Sequence, residues 1–250
     1  MTAFATLAMY PMEPLRPAWE RMWDAVHQHT GWTPDVLTWV DDVQAAWVDP
    51  DCVVAHTCGW PVATTLADVV DVVGAFAFDI PGAEGPRSRA AIMASRPGPL
   101  DSFVTADTVA AVNSECSLTG WISMRVATVG GQPWPGPVVW TGAHVASLAA
   151  LQDGRADIAS IDPLTLALVQ RHQPELTAGL HEVGRGPLVP STPIVVPRGT
   201  DPACIADLRD ALAAAVADPA VRATDELFIT AFVPLDRDVY DGLATLVPTR

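Results

Sequence analysis

The sequence contains no lysine, so all 14 of its basic residues are arginines. This absence excludes a Schiff-base lysine and a phosphate-loop lysine from the available mechanisms. The arginines are outnumbered by 29 acidic residues, and the formal net charge is -15. Nucleic acids and anionic membranes attract proteins through clustered cations, so the charge disfavours both as partners. Any anion bound by this chain must be held by a local arrangement of donors.

Cysteine is also scarce, with four residues and no C-x-x-C pair. Cys52 and Cys58 lie on what the pattern predicts to be one strand, and their separation of about 20 Å along it is too long for a disulfide. The six histidines do not combine with the cysteines in the spacing of a zinc site. We therefore expect reduced thiols, no metal and no cofactor.

Long apolar runs are missing as well, although half of the chain is hydrophobic and a large core is expected. No segment approaches the roughly 18 apolar residues that span a bilayer. The first residues lack the basic region of an export signal, which predicts a cytoplasmic protein as written, or a periplasmic or cell-surface one if a leader was removed. We expect a monomer without a membrane span.

Strand-like and helix-like segments alternate along the chain, which predicts an α/β fold with ligands at the carboxyl ends of the strands. Predicted strands include "FATLAMY", "PDVLTWV", "CVVAHTC", "TVAAVN" and "TPIVVPRG". Punctuation by glycine and proline predicts two lobes, residues 1–90 with 190–250 and residues 91–189. The crossings between them are expected near 88–96 and 181–192, with a cleft between the lobes.

The stretch "SECSLTGW", residues 114–121, follows a predicted strand and gathers small polar side chains where a helix should begin. The positive end of a helix favours an anion there, and Ser114, Cys116, Ser117 and Thr119 add hydroxyl or thiol groups. A plain helix cap, a thiol site and a nucleophile fit the same stretch. The serines lack the glycines of a G-x-S-x-G elbow and no base partner is evident, which disfavours a nucleophile.

Two further strand ends show a related pattern. In "TGAHVASL", Thr141 and His144 stand at the start of a predicted helix, and "HTCGWP" places Cys58, Gly59 and Trp60 after another strand. A histidine at a helix start tends to be neutral and can donate to a ligand, although a structural histidine fits equally. Asp162 before Pro163 is a capping signal that can also face a ligand. Tyr10, at the end of the first predicted strand, fits a pocket wall or the core.

The order of "LAMY", "HTCGWP", "AVNSECSLTGW" and "TGAHVASLAALQDGRADIASID" along the chain resembles the phosphate/phosphite/phosphonate substrate-binding proteins of ABC importers. The resemblance covers about residues 5–200, and its most specific part is residues 141–162. It implies a type II periplasmic-binding fold, in which two α/β lobes close over a small oxyanion without chemistry. The family's ligand contacts, carried over to this chain, fall on Tyr10, Ser114, Cys116, Ser117, Thr119, Thr141, His144 and Asp162. The strand end at "HTCGWP" adds Cys58, Gly59 and Trp60 to the predicted ligand-binding residues.

The predicted function is therefore capture of a phosphonate-like, phosphate-like or related organic anion, for an ABC importer with its permease or as a sensor. The alternative is a cytoplasmic enzyme on the same fold, similar to chorismate dehydratase of menaquinone synthesis. Glu115 stands where relatives carry more hydroxyls, and its direction bears on the choice of ligand. A carboxylate facing the site would disfavour a phosphate-like group.

Overall fold

The computed structural model of the protein describes residues 2–222 and 226–248. Its strands, in chain order, are β1 Phe4–Thr6, β2 Cys52–His56, β3 Val70–Phe78, β4 Arg87–Ser88, β5 Ala91–Ala94, β6 Ala110–Val112, β7 Val138–Trp140, β8 Ile158–Ile161, β9 His181–Arg185, β10 Val189–Pro190, β11 Pro193–Pro197 and β12 Ile229–Pro234. Its α-helices are α1 Arg16–Thr30, α2 Val43–Ala46, α3 Gly59–Ala63, α4 Ser123–Val129, α5 His144–Gln152, α6 Pro163–His172, α7 Pro202–Ala217, α8 Pro219–Arg222 and α9 Asp238–Asp241.

The chain divides into two compact units. Unit 1 comprises Met1–Asp79 and Pro190–Gly242, and unit 2 comprises Ile80–Val189 and Leu243–Arg250. The chain first passes from unit 1 to unit 2 between Asp79 and Ile80, before the crossing expected near residues 88–96. The segment "RSRAAIMAS" already belongs to unit 2, where it supplies β5, which pairs with β8 and β9. The assignment of residues 1–90 with 190–250 and of 91–189 to two closing lobes stays a prediction.

Unit 1 is built on a five-stranded sheet with the order β1-β2-β11-β3-β12. β1 and β2 are parallel, whereas β11 and β12 run antiparallel to their neighbours. β3 is buried along nearly its whole length, as its continuous apolar run "VDVVGAFAF" predicts. The amphipathic helix α1 packs against α7 and buries Trp19 and Trp23 completely.

Unit 2 has its own five-stranded sheet, with the order β7-β6-β8-β5-β9. β6 is parallel to both of its neighbours, so three strands end at the same edge of the sheet. A helix follows each of those ends: a π-helical turn at Leu118–Ile122 continuing into α4, then α5, then α6. Separate apolar clusters, around Leu148 and around Phe103 and Met124, anchor these elements.

Several predicted strands differ in extent from the observed ones. The strand expected at "PDVLTWV" is wrong, because the structure gives Leu37 a single bridge, to Ala5. A strand needs consecutive pairs along an edge, and β1 offers only three residues. β1 ends at Thr6, so Tyr10 lies in the loop after the strand rather than at its end. β12 was not foreseen at all.

Candidate functional site

The stretch "SECSLTGW" forms the turn that leads from β6 into a helix. Ser117 is the N-cap, and its Oγ accepts a hydrogen bond of 2.9 Å from the amide of Gly120. The Ser117 carbonyl accepts from both Trp121 and Ile122, which opens the first turn to the wider π-helical geometry. Ser117 thus fulfils the capping role, and the positive end of a helix begins at this point.

Gly120 allows an unusually close approach inside this turn. A Cβ atom at Gly120 would lie 1.9 Å from Oδ1 of Asn113 and 2.8 Å from Oγ of Ser117. Any side chain at this position would therefore force the Asn113 amide or the Ser117 hydroxyl to move. The lack of a side chain at Gly120 lets the π-helical turn close over the end of β6.

His144 begins α5 and joins the starts of two helices. Its Nε2 lies 3.3 Å from Thr119 Oγ1 in the π-helical turn and 3.3 Å from Asn113 Nδ2 at the end of β6. The N-cap of α5 is Ala143, whose side chain offers no capping acceptor. The first amides of α5 and the hydroxyl of Thr119 therefore converge as donors at one edge of the sheet.

The His144 ring is neutral at physiological pH. Desolvation lowers its pKa below the ordinary 6.5, and this effect outweighs the Asp162 carboxylate and the Ser160 carbonyl, which both favour the protonated ring. Nδ1 is buried and makes no hydrogen bond of standard geometry with the described residues. The structure thus agrees with the expectation of a neutral histidine, with burial as the main cause.

Thr141 lies just before α5, and its hydroxyl forms hydrogen bonds with the end of β6 and with the first turns of α5. Its hydroxyl donates to the Val112 carbonyl at 3.1 Å and lies 2.7 Å from the hydroxyl of Ser147. Ser147 is almost completely buried in the first turns of α5. Thr141 and Ser147 therefore fix the start of α5 against the end of β6.

Asp162 caps α6 and is 5% exposed. Its Oδ1 accepts a hydrogen bond of 3.0 Å from the amide of Thr165. The capping interpretation of this aspartate is therefore realised, and its carboxylate also acts electrostatically on His144. Nearby, the hydroxyl of Ser160 in β8 donates to the carbonyl of Thr119, which holds the π-helical turn on the sheet.

The remaining residues of the turn are more peripheral. Ser114 Oγ accepts from the amide of Cys116 at 3.3 Å, a local serine turn. Cys116 is half-buried, and Glu115 is exposed. An exposed carboxylate is solvated by water and does not add a buried negative charge to the cluster formed by Thr119 and His144.

In unit 1, Tyr10 belongs to a buried network that the sequence did not reveal. Its hydroxyl lies 3.2 Å from Thr192 Oγ1, and the same oxygen lies 2.9 Å from Nε2 of His56. The Tyr10 ring stacks on Trp19 and contacts the His56 ring at a centroid distance of 5.5 Å. Burial lowers the pKa of His56 to about 3, although its hydrogen bond with Thr192 opposes the shift.

Cys58, Gly59 and Trp60 form the start of the short helix α3. Cys58 is the N-cap by backbone position and does not cap with its side chain, and Trp60 is half-buried. The buried Tyr240 of α9 donates to the Ser191 carbonyl at 2.9 Å. Burial and the nearby Cys58 both raise the pKa of Tyr240, which keeps this phenol protonated.

The described residues also bear on two other kinds of feature, metal sites and membrane-spanning helices. Among residues 2–222 and 226–248, no group of histidine, cysteine and carboxylate side chains is arranged to hold a metal ion. Within the same ranges, no helix has the length and apolar character that crossing a bilayer requires. Cys52, Cys58, Cys116 and Cys204 are all reduced thiols, not joined in disulfides.

Comparison with known proteins identifies the family. The family described as "ABC transporter, phosphonate, periplasmic substrate-binding protein" matches residues 87–240, which include the whole polar cluster of unit 2. This chain belongs to that family. Membership confirms the predicted resemblance and the predicted class, a substrate-binding protein. Because the family is not one of enzymes, the alternative of a chorismate dehydratase-like enzyme receives no support.

Solved structures confirm the type II periplasmic-binding fold. A binding protein component of an ABC phosphonate transporter from Pseudomonas aeruginosa has a TM-score of 0.69 at 15% identity, covering 98% of this chain and 84% of the other. PhnD1 from Prochlorococcus marinus, solved with methylphosphonate, has a TM-score of 0.75 at 11% identity, covering 98% and 96%.

The same fold also serves other solutes. A periplasmic His/Glu/Gln/Arg/opine family-binding protein from Silicibacter pomeroyi, solved with lysine, has a TM-score of 0.59 at 15% identity, covering 91% of this chain and 97% of the other. No curated protein sequence matches the chain. The fold therefore admits both anionic and cationic ligands, and the choice depends on the side chains of the site.

Three residues of these networks escaped sequence reasoning: Asn113, His56 and Thr192. Asn113 and His144 are 31 positions apart, and His56 and Thr192 are 136 apart. A possible signal was that Asn113 is the single asparagine of the chain and directly precedes the serine-rich turn. Nothing in local pattern points to Thr192.

Proposed function

We propose that this substrate-binding protein binds a phosphonate through the polar cluster of unit 2. The observation that supports this most strongly is the contact between two helix starts, where Thr119 Oγ1 and His144 Nε2 lie 3.3 Å apart. Helix N-termini offer unpaired amides and a positive dipole end, and hydroxyl groups add donors. Such a site attracts a compact oxyanion even on a protein of net charge -15.

The donors of this cluster suit a phosphonate head group. Thr119, Ser117 and Ser114 supply hydroxyls, His144 and Thr141 lie at the start of α5, and Asp162 caps α6. The cluster is built from groups without formal positive charge, because the His144 ring is neutral. Charge stabilisation then comes from oriented dipoles, which bind anions without a cationic side chain. The methylphosphonate held by the Prochlorococcus relative makes this compound the first ligand to test.

The residues predicted in unit 1 are part of the same proposal. Tyr10, Cys58, Gly59 and Trp60 would contribute to binding the ligand, with the Tyr10 hydroxyl placed by Thr192. Family membership supports the further proposals that the protein works in the periplasm and delivers its ligand to an ABC permease. We also propose that it acts as a monomer, which light scattering of the purified protein would test.

A titration calorimetry series tests the ligand. Methylphosphonate should bind, and phosphite, phosphate, methanesulfonate and acetate define the selectivity. Mass spectrometry should recover the bound compound unchanged, as expected for a receptor. No heat with any of these anions, or a converted product, would contradict the proposal.

A matched pair of threonine variants tests the site. Thr119→Val removes the hydroxyl beside His144 and should weaken methylphosphonate binding about tenfold, since a hydrogen bond to a charged group is lost. Thr128→Val is the control, because the Thr128 hydroxyl on the same helical segment donates to the Met124 carbonyl at 2.7 Å, inside the helix. Equal affinities for both variants would place the ligand elsewhere.

A further inference from the structure

Two hydrogen-bond donors meet one nitrogen in the polar cluster of unit 2. Asn113 Nδ2 and Thr119 Oγ1 each lie 3.3 Å from Nε2 of His144. A ring nitrogen that accepts has a single lone pair in the ring plane, so the two donors compete for it. Whether Nε2 already accepts from Asn113 therefore determines whether the Thr119 hydroxyl has to donate to it.

The side-chain amide of Asn113 determines the role of Nε2. A side-chain NH₂ group only donates, so the nitrogen that faces it must accept. We propose that Asn113 is a positioning residue: it fixes His144 in the tautomer with the proton on Nδ1, and it occupies Nε2 so that the Thr119 hydroxyl hydrogen is free for the ligand. The role of Thr119 in this statement rests on the proposed phosphonate site.

The surroundings of both side chains support this arrangement. Asn113 Oδ1 is turned toward Gly120, where a Cβ atom would meet it at 1.9 Å, and it has no hydrogen-bond partner among the described residues. Nδ2, and not Oδ1, is the amide atom within hydrogen-bond distance of the imidazole. On His144, Nε2 faces the Asn113 amide nitrogen and must accept from it, so the single proton of the neutral ring belongs on Nδ1.

The ring also has the charge state that this arrangement needs. Desolvation lowers the pKa of His144, with Asp162 the charged neighbour that opposes the shift. A neutral ring holds one proton, which makes the choice between two tautomers meaningful. A protonated ring would donate from both nitrogens and would repel the amide of Asn113.

The consequence for binding follows from hydrogen-bond direction. An oxyanion only accepts, so a hydroxyl that is held as donor to Nε2 is lost to it. With Asn113 in place, Thr119 can turn its hydrogen to the ligand while Nε2 keeps a donor. Without Asn113, Nε2 retains the Thr119 hydrogen, and ligand binding must break that bond.

The tautomer itself can be measured without any ligand. In ¹⁵N-labelled full-length protein, long-range ¹H–¹⁵N correlation separates protonated from unprotonated ring nitrogens, and the His144→Gln variant identifies the His144 signals. We expect Nδ1 protonated and Nε2 unprotonated at neutral pH. A proton found on Nε2 would overturn the proposal, whatever the ligand proves to be.

Two substitutions of Asn113 test the cause. Asn113→Asp replaces the donor with an acceptor and should move the ring proton to Nε2, whereas Asn113→Ala should leave Thr119 as the sole donor. Asn113→Ala should also weaken methylphosphonate binding about tenfold, the loss expected for one hydrogen bond to a charged ligand. An unchanged ring signal in Asn113→Asp would contradict the positioning role.

A double-mutant cycle connects Asn113 to Thr119. Because both substitutions act on the same hydroxyl hydrogen, Thr119→Val with Asn113→Ala should bind no more weakly than Thr119→Val alone. Additive losses of about a hundredfold would refute the coupling. If the unaltered protein does not bind methylphosphonate, the proposed function fails, while the ring signals still decide the tautomer.

Discussion

Each unit places a histidine at the end of an element, yet the two histidines have different surroundings. His56 ends β2 in unit 1 and is 1% exposed among the rings of Tyr10, Trp19 and Phe76. His144 begins α5 in unit 2 beside hydroxyl and amide groups. Burial lowers the pKa of both rings. A lowered pKa therefore does not distinguish a histidine of an aromatic core from one in a polar cluster, whereas the neighbouring groups do.

The neighbours differ in what they can offer to a ligand. The His56 ring is enclosed by aromatic side chains, and its hydrogen bond goes to Thr192, which also contacts Tyr10. His144 is the first residue of α5, and its ring contacts Thr119 in the turn that starts another helix. In unit 1 the histidine packs within a group of aromatic rings, whereas in unit 2 the histidine contacts hydrogen-bond donors.

The largest expected effect comes from closing the space at Gly120. Gly120→Ala would place a Cβ atom 1.9 Å from Asn113 Oδ1 and 2.8 Å from Ser117 Oγ, so the Asn113 amide, the Ser117 cap or the turn itself must shift. We expect a loss of stability of up to about 3 kcal/mol, typical of overpacking, together with loss of ligand binding. Urea unfolding and calorimetry measure both.

Gly242→Ala is the control for Gly120→Ala. A Cβ atom at Gly242 meets nothing within 4 Å, and its φ of -65° suits any residue. This variant should keep both stability and affinity. Equal behaviour of the two alanine variants would show that the tight turn does not matter for the site.

The next effect is the pH dependence that His56 confers on unit 1. In the unfolded chain this histidine titrates near 6.5, and in the folded protein burial lowers its pKa to about 3. Between these values the unfolded state binds more protons, so stability falls as the pH falls. From pH 7 to pH 5 the His56 contribution should drop by about 2 kcal/mol.

Urea unfolding at the two pH values separates this contribution from others. His56→Gln should lose about 2 kcal/mol less than the unaltered protein between pH 7 and pH 5. The control is His172→Gln at an exposed position of α6, which should behave like the unaltered protein. The same pH dependence in all three proteins would show that the His56 ring is not desolvated.

The smallest effect compares two Asp-Pro caps, one in each unit. Asp162 accepts from Thr165 at the start of α6, and Asp201 accepts from Ala203 at the start of α7. Asp162→Ala and Asp201→Ala should each cost about 1 kcal/mol of stability, the usual value of an N-cap. Only Asp162→Ala should also alter methylphosphonate affinity, by about fivefold, because the Asp162 carboxylate acts electrostatically on His144 in the polar cluster. Equal affinities would leave Asp162 a cap alone.

Local signals predicted the regular elements well. The helix predicted at "TGAHVASL" begins at His144 as α5, and the capping signal of Asp162 before Pro163 marks the start of α6. Capping and apolar periodicity depend on residues close in sequence, so the local pattern is enough to predict these helices. "PDVLTWV" failed as a strand because pairing depends on a distant partner, and β1 is too short to provide it.

The candidate site was predictable in its parts and not in its connections. Ser117, Thr119 and His144 stood out because each lies near a strand end or a helix start. The contact of Asn113 with His144 joins residues 31 positions apart, and it depends on the parallel pairing of β6 and β7. Sequence alone gives neither the register nor the distance. The family resemblance supplied the function because it encodes the order of the motifs.

The three passages of the chain between the units determine where its ends lie. The chain begins in unit 1, and its last eight residues, Leu243–Arg250, belong to unit 2. Fluorescent proteins fused to the two termini would therefore be attached to different units. Such a fusion turns any ligand-induced movement of one unit against the other into a change in energy transfer. The topology thus makes the protein suited to an optical reporter for its own ligand.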